Sequence, residues 1–359
     1  MGAAVDLSGE WGACPLPAGP VPAPLAAEVR QAMGMVPSWV ARTAPCPWMV
    51  RAVIETLQKP VAFAPRKLCD LVTLVVSQDN SCRYCYGTQR ALLRIHGYSD
   101  EYMDALVRDF QVRDLSPAER AALDFARRIS RANPSPGRAE FEQVVSAGMS
   151  RLAVAEIAMV TASASFTNRM ATLIALPPDR LEGIVRSPLF RFMRPLMAWR
   201  MRARARNPEP LTVPNEGFCA SVVAALAGSP GARVFRGIID AACASEILPR
   251  RAKMLMFAVI ARVLGGTHVE AEARAALAED GFGTTDVDEV LATLGSPRLD
   301  AREARLVPFA RETVRYQPAV IQQRFRDVAR DFSPAEILET AGTAGLANAL
   351  CRLSVVLDV

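Results

Sequence analysis

Residues 116–130 read SPAERAALDFARRIS. Ser and Pro open the segment, Glu119 stands in what would be a first turn, and arginines close it, which is the charge order a helix dipole favours. The apolar residues between them recur at helical spacing. Residues 333–350, SPAEILETAGTAGLANAL, open in the same way, with Ser333 placed as an N-cap and Glu336 three residues later as its capping-box partner. Strand signals are scarce elsewhere, so the chain reads as all-α.

Slid along itself, the sequence repeats at an offset of about 184 residues. Pro65 and Arg66 fall on Pro249 and Arg250, Arg90 and Ala91 on Arg274 and Ala275, and Leu93, Gly97 and Tyr98 on Leu277, Gly281 and Phe282. The register continues through Glu119, Phe125, Ala126 and Arg127, which meet Glu303, Phe309, Ala310 and Arg311, and through Pro134, Phe141 and Val144, which meet Pro318, Phe325 and Val328. A four-residue slip then places Ala155, Glu156, Ile157 and Asn168 on Ala335, Glu336, Ile337 and Asn348. This pattern predicts a tandem duplication: one helical repeat over residues 25–185, a second over 213–359, a basic linker at 186–212 and a flexible tail rich in Pro, Gly and Ala at 1–24.

The linker, RSPLFRFMRPLMAWRMRARARNPEP at 186–210, holds seven arginines among large apolar residues. It fits a membrane-surface or nucleic-acid helix. It fits better a linker that packs its apolar side on both repeats and solvates its arginines, because Pro195 disfavours one long amphipathic helix.

A chain of 359 residues with 51% hydrophobic and 22% charged residues has enough apolar material for two cores and is not a disordered one. The net charge of +5 comes from 42 basic and 37 acidic residues, too even a balance to call for nucleic acid. The N-terminus lacks a basic region followed by an apolar core, and Arg151, Glu156 and Arg169 interrupt the apolar stretch at 149–176, so no leader, membrane span or membrane partner is expected and a cytoplasmic location is. Eight cysteines in a chain of this size are not a disulfide framework.

Two of them, Cys82 and Cys85, are separated by two residues in VVSQDNSCRYCYGTQRALLRIHG, residues 75–97. Ser81 or Asn80 is placed to cap a helix starting at Cys82, which would put both thiols on nearly one face of its first turn. A helix N-terminus stabilises a thiolate, and residues three apart are near enough to bridge, so the pair suits dithiol–disulfide chemistry. Arg83 and Arg90 would add positive potential. A zinc site needs about four ligands, and the chain offers no second such pair: its histidines are His96 and His268, and Cys14, Cys46, Cys69, Cys219, Cys243 and Cys351 are scattered as small core residues. No metal or cofactor is expected. The second repeat sets Gly266 and Val269 against Cys82 and Cys85, so the thiols are not needed to hold the fold together.

The segment RKLCDLVTLVVSQDNSCRYCYGTQRALL resembles the signature of the carboxymuconolactone decarboxylase superfamily, in particular its alkyl hydroperoxidase D-like branch. The resemblance covers residues 48–184 and, more weakly, 232–359. It implies an all-helical fold, a homo-oligomer, and reduction of a peroxide or disulfide substrate by a Cys pair that a dithiol reductant protein regenerates. By position it implies Cys85 as the attacking thiol, Cys82 as the resolving thiol, Asp70 as the acidic residue and Gln89 in place of the usual His. Two departures stand out: Asp70 replaces Glu, and Gln89 cannot shuttle a proton. The plain reading of Asp70 is an ion pair with Arg66 or Lys67. His96 reads as a residue of a helix C-terminus before Gly97, and His268 as a surface residue of a first turn. Three classes follow: a thiol peroxidase or disulfide oxidoreductase, a non-enzymatic redox sensor or assembly protein, and, against the presence of the Cys pair, lactone chemistry.

Overall fold

Both Ser-Pro openings cap helices as their sequences require. Glu119 donates its backbone N–H to Ser116 Oγ at 3.2 Å and its carboxylate accepts the Ser116 N–H at 2.8 Å; Ser333 and Glu336 repeat the exchange at 3.3 and 2.7 Å. The computed structural model describes residues 11–110, 114–178, 181–187, 190–204 and 216–359, and among these it is all-α, with no strand. The first half holds α1 (Ala23–Met33), α2 (Val40–Thr43), α3 (Pro47–Leu57), α4 (Arg66–Asp79), α5 (Arg83–His96), α6 (Asp100–Asp109), α7 (Pro117–Arg131), α8 (Arg138–Ser146) and α9 (Arg151–Leu173). Between the halves lie α10 (Leu181–Arg186) and α11 (Phe190–Arg204). The second half holds α12 (Ala220–Ala225), α13 (Pro230–Ala244), α14 (Arg250–Leu264), α15 (Thr267–Glu279), α16 (Thr284–Thr293), α17 (Glu303–Glu312), α18 (Pro318–Val328) and α19 (Pro334–Leu357).

The helices α3 to α9 recur in order as α13 to α19, and the duplication extends to side chains. Phe125 and Phe141 meet with ring centroids 6.2 Å apart, and their counterparts Phe309 and Phe325 meet at 5.2 Å. Over the last helix, however, the register differs from the one the sequence suggests. Glu336 is a capping residue, whereas Glu156 is fully buried and accepts the N–H groups of Ala62, Phe63 and Ala64 at 2.6 to 2.7 Å. Its counterpart is Glu339, also fully buried, which accepts the Leu248 N–H at 2.9 Å and meets Lys253 Nζ at 3.3 Å. The slip is thus one residue, and Ser150 answers to Ser333 and Arg169 to Arg352. An Ala-rich helix apolar on all sides matches itself almost as well when displaced by three residues, close to one turn, which is how the sequence misled.

α9 and α19 pack against each other along the centre and are buried over nearly all their length. α19 is long and apolar enough to cross a membrane, but 89% of its most apolar window lies inside the molecule, as befits a core helix. The two helices cross where Gly345 meets Phe166. A Cβ on Gly345 would lie 2.9 Å from the Phe166 carbonyl oxygen and 3.0 Å from its ring.

Each central helix also sends an arginine into the other repeat. Arg169 Nε donates to Thr313 O at 3.0 Å, and Arg352 Nε donates to Ile129 O at 3.1 Å. Ile129 and Thr313 are equivalent positions of α7 and of the turn after α17, so the exchange is symmetric. The tail expected to be flexible is pinned from Trp11 onward: Trp11 Nε1 donates to Leu176 O at 3.1 Å, Gly12 N to Gln322 Oε1 at 2.9 Å, and Leu16 is buried. Residues 1–10 of that tail lie outside the described residues.

Gly345→Ala should lower stability by about 1–3 kcal/mol, because the new methyl meets main chain that cannot turn aside. Gly237→Ala, exposed on α13 with open space at its Cβ position, should instead be neutral or stabilise by up to about 1 kcal/mol. Denaturant midpoints of the two variants check this, and equal midpoints would mean that the central helices part without cost.

Candidate active site

The chain between α4 and α5 is a tight reversal. Ser81 takes a left-handed conformation with φ 51°, its N–H bonds Gln78 O at 2.8 Å, and Cys82 N bonds Ser77 O at 3.0 Å. The polar run Gln78 to Ser81 therefore ends α4 instead of capping α5. The cap is Cys82 itself, whose sulfur accepts the Cys85 N–H at 3.2 Å. α5 starts one residue later than its sequence suggests, with Cys85 at its third position. Asp79, with Arg131 at 2.9 Å and Arg127 at 3.5 Å, ties the end of α4 to α7 and so fixes where the turn sits.

The two thiols are unequal. Cys82 is fully buried, whereas Cys85 is partly exposed and directs its S–H at Thr167 O, 3.9 Å away on α9. Burial pushes the Cys85 thiol well above its ordinary value, and the neighbouring Cys82 sulfur adds to the rise. The lowering expected from a helix N-terminus is outweighed by desolvation.

Asp70 and Gln89 do come together, but not as a proton path. The buried Gln89 donates Nε2 to the main-chain carbonyl of Asp70 at 3.0 Å, while the Asp70 carboxylate is bound by Lys59. Lys67 is not its partner but lies over the Tyr98 ring, and Arg66 donates to Gln58 O at 3.3 Å. The partner was hidden because Lys59 lies across a loop, eleven residues earlier. Among the described residues, neither Asp70 nor Gln89 bonds a sulfur of the pair.

The two flanking arginines differ. Arg83 is exposed, and Arg90 is held by Asp100 at 2.7 Å, by Asp104 and by the Tyr86 hydroxyl at 3.0 Å. His96 closes α5 on the surface ahead of Gly97 (φ 99°), and His268 is exposed in the first turn of α15, both as their sequences suggest. Among the single cysteines, Cys46, Cys69, Cys219 and Cys351 are buried and Cys14 partly so; Cys243 is exposed, not a core residue. No cluster of metal-ligating side chains occurs among the described residues.

Sequence reasoning missed what lies behind the thiols. Arg169 on α9 reaches Asn80 Oδ1 at 3.4 Å, two residues before Cys82, and its guanidinium stands 5.6 Å from the ring of Tyr316 in the second repeat. Tyr316 brings a buried hydroxyl beside Thr172, close enough to both thiols to feel their charge, and burial pushes its phenol up to about 12. Only the buried arginine inside an apolar helix hinted at this.

In the second repeat the same positions close into core. Gly266, Val269, Met254 and Ala273 stand where Cys82, Cys85, Asp70 and Gln89 stand in the first, and all four are buried. The Cβ position of Gly266 is 3.4 Å from Cys351. Cys85 is partly exposed, whereas its counterpart Val269 is fully buried.

No family model and no curated protein matches the chain. Among solved structures it is similar to an alkylhydroperoxidase AhpD core, an uncharacterized peroxidase-related protein from Ralstonia eutropha JMP134, at 25% identity. That similarity covers 49% of this chain and 98% of the other, with a TM-score of 0.43. It is also similar to an uncharacterized peroxidase-related protein from Silicibacter sp. TM1040, at 26% identity over 48% of this chain and 93% of the other, with a TM-score of 0.41.

Because the raised Cys85 thiol is neutral at pH 7, its alkylation by iodoacetamide should be slow there. It should climb about tenfold per pH unit through pH 9, while the buried Cys82 lags behind. Peptide mass spectrometry separates both from the exposed Cys243. A Cys85 rate that levels off below pH 8 would contradict the assignment.

Proposed function

We propose that the protein is a thiol-dependent peroxidase or disulfide oxidoreductase working through a Cys82–Cys85 dithiol–disulfide couple. The observation that carries this reading is the cap of α5: the Cys82 sulfur is held 3.2 Å from the Cys85 main-chain nitrogen, behind a Cys85 that alone of the two reaches solvent. A substrate meets Cys85 first, and Cys82 is already in place to displace what forms.

In the peroxide reaction the Cys85 thiolate attacks one peroxide oxygen, the O–O bond breaks, and the departing oxygen leaves as alcohol or water with a proton. Cys85 is then a sulfenic acid. The Cys82 thiolate attacks that sulfur, the hydroxyl leaves as water with a proton, and the disulfide is formed; a dithiol reductant returns both thiols. Gln89, tied to a carbonyl, supplies no base. Tyr316 brings a buried hydroxyl from the second repeat, and with its phenol pushed up to about 12 it is a donor, suited to the departing oxygen and not to deprotonating Cys85.

The raised Cys85 thiol favours a second reading, a redox sensor that reacts slowly and reports oxidation to a partner. Steady-state peroxide consumption with a dithiol reductant separates the two. For an enzyme, Cys85→Ser abolishes turnover, Cys82→Ser stops it after one sulfenic acid per chain, and Gln89→His raises the rate at pH 7 by about tenfold or more by restoring an imidazole. A single oxidation per chain with no sustained turnover, and no response to Gln89→His, would leave the sensor.

A further inference from the structure

The linker between the repeats departs from its expected role. Pro195 does not break it: α11 runs from Phe190 to Arg204 through that proline, which is exposed, so the backbone bond it forfeits lies on the wet side. Nor does α11 hide its apolar residues between the repeats. Its main packing is on α5 and α10, through Phe190, Met197 and Ala198 against Ala91, Leu92, Ile95 and Val185.

The opposite side carries Phe192, Met193, Leu196 and Trp199, spaced as one helical stripe and all exposed, Phe192 by 86% and Trp199 by 63%. Every other segment among the described residues shows at most one large exposed apolar side chain. Single ones need no explanation, but a stripe of four does. The sequence around it is one-signed: residues 186–208 hold seven arginines and no Asp or Glu.

We propose that α11 is a docking helix for an anionic lipid surface. Phe192, Leu196 and Trp199 would enter the boundary between headgroups and acyl chains, Arg194 is exposed beside them to meet lipid phosphates, and the one-signed charge of the segment adds attraction. Charge decides against a second copy as occupant. A symmetric contact of this stripe with itself would bring two arginine-rich helices together, and a head-to-tail contact needs a second apolar stripe, which the described surface lacks. This surface departs from the expectation that the chain has no membrane partner, and it does not depend on the thiol chemistry proposed above.

The test is co-sedimentation of the full chain with vesicles of phosphatidylcholine alone or with roughly one third phosphatidylglycerol. The protein should partition onto the anionic vesicles, bind neutral ones weakly, and let go as salt rises. Replacing both Phe192 and Trp199 by Ser should reduce the partition coefficient roughly 100-fold, and Arg194→Glu should reduce it about tenfold or more. All three side chains are exposed, so circular dichroism and the Cys85 alkylation profile should be unchanged, which separates lost docking from lost folding. Equal binding to neutral and anionic vesicles, or anionic binding indifferent to the double substitution, would overturn the proposal. So would light scattering that shows a dimer for the native chain and a monomer for the double variant.

Discussion

Two guanidinium groups meet at one carbonyl. Val314 O accepts from Arg169 at 3.0 Å and from Arg352 at 3.3 Å, both side chains are buried, and among the described residues neither has a carboxylate partner. Each like charge in so dry a place costs several kcal/mol of lost hydration, and burial pulls both groups below the ordinary arginine value. What offsets the cost is a full set of acceptors, Thr313 O and Ser165 O for one, Ile129 O and Asn348 Oδ1 for the other. Thr313 O and Ile129 O are helix-end carbonyls of the opposite repeat, so the arrangement is complete only when both repeats are docked. The duplication is therefore not two domains on a string but one core whose polar centre neither half satisfies alone.

That centre also positions the thiols. Arg169 reaches back to Asn80 in the turn that presents Cys82, and its other side faces the Tyr316 ring. The first repeat thus supplies the thiols, and the second sets Tyr316 within electrostatic range of both. It follows that the second repeat could lose its own thiol positions to Gly266 and Val269 without becoming idle: a copy freed from chemistry still has to close the core and present Tyr316. The degenerate half is a structural partner to the half that kept the pair.

What the sequence revealed and what it hid divide by range. The capping boxes at Ser116 and Ser333 were legible because all their atoms lie within four residues, and the 184-residue register was legible where the helices keep amphipathic stripes and equal loops. It failed in α19, where burial on every side erases the stripe and leaves Glu336 and Glu339 equally plausible as counterparts of Glu156. The Cys pair was legible from spacing, but its cap was not, since Ser81 turns left-handed and hands that role to Cys82. The Asp70–Lys59 pair and the approach of Tyr316 to Arg169 depend on how loops and repeats fold over each other, and no local pattern records that. α11 was misjudged for a physical reason too: proline forbids one backbone bond, and on a solvent-facing position water replaces it.

The position of Cys85 sets two effects of one helix against each other. The first turn of α5 offers unpaired N–H groups that would stabilise a thiolate, but the same turn is driven against α9, whose apolar side and carbonyls disfavour any negative charge. Desolvation wins, and the S–H is turned toward Thr167 O. A thiol held this way is protected from indiscriminate oxidation, because only its anion is a strong nucleophile. It becomes reactive when water or positive charge reaches it, and the buried Arg169 behind the turn is itself occupied by Asn80 and by carbonyls of the second repeat.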